Sequence, residues 1–295
     1  MVKLAAGAVA LAVVVTGAIL VSRPNAALDK VAADENVRLE REAGASSRRS
    51  SGYELGESSH GASTATIQPR SRPFEQIKAE AERGSAVAQR ELSEIYGFCM
   101  PYSLNSTTQL QTLDHLAGLA PDSKAGIDGV KARLITRCEG VDSGQPIPME
   151  AVNLWAAQAA NSGDVASQVR LRVTSLDPLA GDEVSRLADA ALGSRDPQAM
   201  MEMSNLMSRP LEGDIPERYK GVSGSSLAGA AWGIAACRAG AECGTGSMMM
   251  DSVCISTGRC NYRSYEDFIF AELVPPAERH RVLRMAQQIS ELGQP

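Results

Sequence analysis

The sequence predicts an all-α protein, an α/α solenoid of about four to five helix-turn-helix repeats, cross-linked by disulfides. Three observations carry this expectation. Aromatic residues make up only 4% of the chain while alanine is abundant, which favours close-packed helices over sheets built from β-branched and aromatic side chains. Apolar residues recur four, eight and twelve places after a turn residue, the spacing of one helix face. Six cysteines, an even number, all lie far beyond an apolar N-terminal stretch, the pattern an oxidising compartment allows.

The first element is residues 1–21. After Lys3 the chain runs uncharged from Leu4 to Val21, with Thr16 as its one polar interruption. A cleavable signal has an apolar region of about 7–15 residues and a spanning helix needs about 20, so the stretch is nearer an uncleaved signal anchor. The cleavage site is poorly formed around Asn25-Ala26-Ala27 and Pro24. Cleavage and release stays open as the alternative. Lys3 on one side and Arg23 and Lys30 on the other give little orientation, so entry with the N-terminus inside is the default. The setting this implies is the bacterial periplasm, either anchored in the inner membrane through residues 4–21 or soluble after cleavage.

Residues 22–72 are polar and broken, with serine-rich runs around Ser46–Gly52 and Ser58–Ser63. Such a stretch buries too little apolar surface to offset the entropy of ordering and reads as a linker, with a short helix from Leu28 to Glu42 as a local option.

From residue 73 to 295 the texture becomes helical. Taking Gly84 as a turn, Ala88, Leu92 and Tyr96 follow four, eight and twelve residues later. The frame returns at Trp155, eight residues before Gly163, with Gln168 and Leu171 after it. Trp232 likewise stands eight before Gly240, so both tryptophans share a repeat position. A copy without tryptophan turns at Arg195, followed by Ala199, Met203 and Met207, and a degenerate copy turns near Gly126, followed by Val130, Leu134 and Cys138. Turns at 84, 126, 163, 195 and 240 are 42, 37, 32 and 45 residues apart, intervals that suit a two-helix unit.

Trp155, Ala159, Ala160, Gly163, Gln168 and Leu171, with Gly84, Ala88, Gln89, Leu92 and Tyr96, resemble the Sel-one-like repeats, relatives of the tetratricopeptide repeats. The resemblance covers most of the span from Pro73 to about Ser256. It implies an α/α solenoid that mediates protein-protein interaction. The chain departs from that pattern in its irregular spacing, in Arg195 at a turn, and in Gly233 where an aromatic residue often follows the tryptophan.

Cys237 and Cys243 flank Gly240 three residues on either side, where a bridge would clamp the turn. Cys254 and Cys260 repeat that six-residue spacing, and Cys99 and Cys138 are 39 apart, each closing a second helix. Fifteen pairings are open to six cysteines, and this one is the working expectation. A C-terminal helix from about Pro276 to Leu292, with Val282, Leu283, Met285, Ile289 and Leu292 as its stripe, is placed to cap the last repeat.

Chemistry is sparse by comparison. No Cys-x-x-Cys is present, and His60, His115 and His280 stand apart from the thiols, so neither zinc nor a redox pair is expected. Serines lack a Gly-x-Ser-x-Gly setting, and Gly240–Gly246 lacks the ending of a phosphate loop. Asp182-Glu183 and Glu266-Asp267 sit where they would complement helix dipoles. Met200, Met201, Met203, Met207 and Met248–Met250 have the spacing of core packing rather than of a copper site. A net charge of −6 speaks against nucleic acid. The expectation is an interaction module without cofactor, its partner a protein or peptide in the cell envelope. The alternative is an envelope hydrolase, or hydrolase inhibitor, acting on cell-wall or antibiotic substrates.

Overall fold

Residues 72–175 and 177–294 are described by a computed structural model. The apolar segment of residues 4–21, the polar stretch as far as residue 71 and the helix expected from Leu28 to Glu42 lie outside the described residues. Arg72 pairs with Glu80 and Glu91 and so belongs to the helical unit.

Among the described residues the chain is all-helical, with thirteen α-helices and two isolated β-bridges. The first six are α1 (Phe74–Glu82), α2 (Ala86–Leu104), α3 (Ser106–Leu119), α4 (Lys124–Cys138), α5 (Met149–Asn161) and α6 (Val165–Thr174). Then come α7 (Gly181–Ser194), α8 (Pro197–Met207), the single turn α9 (Glu217–Lys220) and α10 (Ser226–Arg238). The last three are α11 (Met248–Thr257), the single turn α12 (Tyr265–Phe268) and α13 (Arg279–Leu292).

Three helical hairpins share one turn design. A left-handed residue reverses the chain, Gly84 (φ 93°) between α1 and α2, Gly163 (φ 93°) between α5 and α6, and Arg195 (φ 56°) between α7 and α8. At φ near +90° a side chain is penalised, whereas Arg195 sits in the left-handed well at a tolerable cost. The next residue caps the second helix. Ser85, Asp164 and Asp196 accept hydrogen bonds from the backbone N–H groups of Ala88, Ser167 and Gln198, satisfying donors that a helix start leaves open. Gln89 and Gln168, five residues after their glycines, donate through Nε2 to the carbonyls of Ala81 and Ala160. The recurring glutamine therefore ties the second helix back to the end of the first.

The core falls into two clusters. One gathers Ile77, Ala88, Leu92, Tyr96, Leu113, Ile127, Val130 and Leu134 from α1 to α4. The other runs from α6 to α13 around Val169, Met203, Met207, Trp232, Ile234 and Ile289. Alanines let backbones approach while methionines fill the irregular gaps between them. Trp232 is fully buried and donates from Nε1 to the carbonyl of Val222 at 2.9 Å. Trp155, at the matching sequence position, is only half-buried at the margin of the first cluster.

Two expected turns come out differently. Gly126 lies inside α4, because a 3-10 turn at Pro121–Ser123 already makes the reversal from α3. A Cβ at Gly126 would stand 2.5 Å from the carbonyl oxygen of Cys260, so this glycine admits a neighbouring chain. Val130, Leu134 and Cys138 remain on the buried face, since the helical period is unchanged. Gly240 does reverse the chain, at φ 113°, but no helix follows it at once. Gly244 and Gly246 interrupt the run, Thr245 N–H donates to the carbonyl of Arg263, and α11 then packs on α4. The partner of α10 on that side is α13, whose Val282, Met285 and Ile289 are buried. The C-terminal helix thus covers α10, preceded by a 3-10 turn at Pro276–Glu278.

Three disulfides join Cys99 to Cys138, Cys237 to Cys243 and Cys254 to Cys260. The first ties α2 to α4, the second closes the turn after α10, and the third closes the end of α11. Such bonds suggest an oxidising compartment, extracellular or periplasmic. Between the last two, Asp251 of α11 is 1% exposed in its side chain and accepts from Arg133 at 2.6 Å and Arg137 at 2.5 Å. A buried carboxylate with two guanidiniums is fully compensated, so α11 is pinned to α4 by charge as well as by packing. Among the described residues no helix is long and apolar enough to cross a membrane.

Candidate functional site

Helix α6 takes part in two features. On its outer flank Gln168, Leu171 and Arg172 face Glu183, Arg186, Leu187 and Ala190 of α7 across an open groove of about 530 Å³, a size within the range of ligand sites. Leu171 was expected on the packed face of its repeat, and it is 37% exposed. Its counterpart Leu92 is covered because α2 is packed by α1, α3, α4 and α5. At α6 the chain leaves after Thr174 and returns as α7 only at Gly181, so among the described residues no helix covers Leu171 from that side.

The groove's charges differ in their commitments. Arg172 donates from Nε to Glu183 at 2.7 Å and from its other nitrogens to the carbonyls of Asp177 and Pro178. It braces the α6–α7 connection. Arg186 is largely exposed and, among the described residues, pairs with Asp182 alone, at 3.9 Å. The floor of Leu171, Leu187 and Ala190 is apolar, and one loosely held guanidinium stands at its edge.

The second feature is a seam of charge joining α2, α6 and α8. Arg90, 8% exposed, donates from Nε to Asp164 at 3.1 Å and from Nη2 to Asp196 at 3.0 Å. Those aspartates are the caps of α6 and α8, so one side chain of the first hairpin holds the helix starts of the next two. Arg170 of α6 donates to Glu202 of α8 at 3.2 Å. Glu94 lies between the guanidiniums, 3.5 Å from Arg90 and 3.8 Å from Arg170. Its Oε1 is buried, and among the described residues no donor meets it in close hydrogen-bond geometry, Arg90 at 3.5 Å being the nearest. Burial pushes the Glu94 carboxyl above its usual range, with Glu202 adding to the rise, while Arg170 and Arg90 oppose it.

The other residues singled out from the sequence take structural places. Ala88, Leu92 and Tyr96 are buried, and the Tyr96 hydroxyl donates to Asp142 at 2.5 Å. Burial and that carboxylate together raise the Tyr96 hydroxyl well above its usual range. Met200, Met201, Met203 and Met207 are core residues. Asp182 and Glu183 lie in the first turn of α7, and Glu266 and Asp267 in that of α12. His115 and His280 are exposed on separate helices, α3 and α13. Sequence reasoning missed Arg90, Glu94, Arg170 and Glu202. One signal was available: an aspartate follows the turn residue at both 164 and 196, while Arg90 and Glu94, four residues apart, put opposite charges on the helix face away from Ala88, Leu92 and Tyr96.

No family model, curated protein or solved structure matches the chain.

Proposed function

We propose that this is an exported helical repeat protein of the cell envelope that binds a segment of another protein in the groove between α6 and α7. The observation that carries the reading is the groove itself, an apolar floor left uncovered beside Arg186, where a leucine at a repeat-core position is open to solvent. An open hollow with apolar residues at Leu171, Leu187 and Ala190, bordered by the polar Gln168, Arg172, Glu183 and Arg186, can take an apolar side chain of a peptide and engage its polar groups at the border. In this reading the hairpins are Sel-one-like units stacked as an α/α solenoid. The turn design common to three hairpins and the reach of Arg90 across them support that arrangement. The segment at residues 4–21 would hold the domain at the inner membrane, with the stretch to residue 72 as tether. Fold-level likeness carries no partner identity, so the groove residues are what must be tested.

A photo-crosslinking amino acid placed at Leu187 of the full chain, expressed in its native cell, tests this directly. The expected result is a discrete adduct that is absent when the same group replaces the exposed Leu119 on α3. No adduct, or the same adducts from both positions, would refute the proposal.

A further inference from the structure

The charged seam contains more negative than positive charge. Asp164 and Arg170 come from α6, Asp196 and Glu202 from α8, and Arg90 and Glu94 from α2. With every group ionised, four carboxylates face two guanidiniums. Arg90 is shared among Asp164, Asp196 and Glu94, and Arg170 is closer to Glu202 than to Glu94. Among the described residues Glu94 is therefore the worst-served carboxylate: its buried Oε1 has guanidinium nitrogens at 3.5 and 3.8 Å, both at the long edge of hydrogen-bond reach. Desolvated charge without a full partner is costly, and a carboxyl group can avoid that cost by holding a proton.

Position makes this more than a local matter. The seam fastens α6 to α8, and α8 forms a hairpin with α7, whose other flank faces α6 across the groove. Any loosening of α6 from α8 would therefore move the two groove walls relative to each other. We propose that the seam is a proton-responsive clasp: Glu94 takes up a proton as the medium acidifies, tightening α6 against α8, and releases it as the medium turns alkaline, loosening that contact. Its bearing on partner binding rests on the groove reading above, but the clasp itself does not.

The sign follows from linkage. A carboxyl that binds its proton more tightly in the folded chain than in the unfolded one adds stability that is fully present below the unfolded value. That stability is lost as pH rises through the raised folded value. The clasp is thus tightest on the acid side of that window and loosest above it, opposite in sense to an ordinary salt-bridged carboxylate.

Hydrogen exchange followed by mass spectrometry on the full chain tests the clasp without any partner. Peptides covering α6 and α8 are compared from acid to alkaline pH, after correction for intrinsic exchange. The expected result is several-fold faster exchange at the upper end, and a flat profile in Glu94→Gln, which keeps the shape but cannot ionise. Carbon-13 carboxyl titration of the wild-type chain supplies a second measurement that needs no variant, with Glu94 titrating above the ordinary glutamate value. A flat wild-type exchange profile, the same profile in Glu94→Gln, or ordinary titration of Glu94 would each overturn the clasp. A failed crosslink at Leu187 would count against the groove alone.

Discussion

Replacing Arg90 with methionine keeps most of the side-chain volume and removes the guanidinium. Asp164 and Glu94 would then remain in a largely buried seam with only Arg170 nearby, and the caps of α6 and α8 would lose their common partner. Breaking a buried ion pair on one side costs about 3–5 kcal/mol, because the remaining charge is left uncompensated. Asp196 is about a third exposed in its side chain, so water covers much of its loss, and the lower part of that range, about 3 kcal/mol, is expected. With a urea slope of about 2–3 kcal/mol per molar, the unfolding midpoint should fall by roughly 1 M. The control is Arg186→Met at the groove edge, which should change stability by less than about 0.5 kcal/mol. Chemical denaturation followed by circular dichroism reads both. A loss for Arg90→Met below about 1 kcal/mol, or no greater than that for Arg186→Met, would refute the seam as a support of the three hairpins.

Disulfide removal should rank by loop length. Opening Cys99–Cys138, which spans 39 residues, should cost about 4 kcal/mol, and opening Cys237–Cys243, which spans 6, about 2 kcal/mol. Urea unfolding of the two double-serine variants checks the order, and a reversed order would contradict it. At the hairpin turns, Gly163→Ala should lose about 1–2 kcal/mol, since φ of 93° suits glycine, whereas Arg195→Gly should be near neutral. Equal thermal shifts in the two variants would sink that reasoning. Gly126→Ala should destabilise by about 1–3 kcal/mol by pushing the Cys260 segment off α4. Hydrogen exchange at residues 258–261 should rise with it, and unchanged exchange there would argue against the close approach.

How much of this was legible beforehand differs by feature. The hairpins around Gly84, Gly163 and Arg195 could be read because their turn residue and cap, with a glutamine in the first two, act within about ten residues of one another, so a local pattern carries the physics. Pairing of Cys237 with Cys243 and of Cys254 with Cys260 was legible for the same reason. Gly126 misled because its neighbours keep helical spacing either way, and what sets its role is the distant Cys260 segment. Gly240 misled in part: it does reverse the chain, but the helix that packs beside α10 comes from the C-terminus. The exposure of Leu171 depended on where the chain travels between Thr174 and Gly181, which periodicity does not encode. The seam of Arg90, Glu94, Asp164, Arg170, Asp196 and Glu202 joins three hairpins and belongs to tertiary structure, so in the helix pattern its residues look like an ordinary charged face.

Peptide recognition by the groove beside Leu171 can be measured without a known partner. Panning a display library of short peptides against the full chain, then titrating the enriched sequences by calorimetry, measures it. The prediction is a set of peptides sharing an aliphatic anchor whose affinity falls at least about tenfold, or about 1.4 kcal/mol, in Leu171→Gln, while the unfolding midpoint stays near that of the wild type. Enrichment of nothing, or peptides that bind Leu171→Gln as well as the parent, would contradict it.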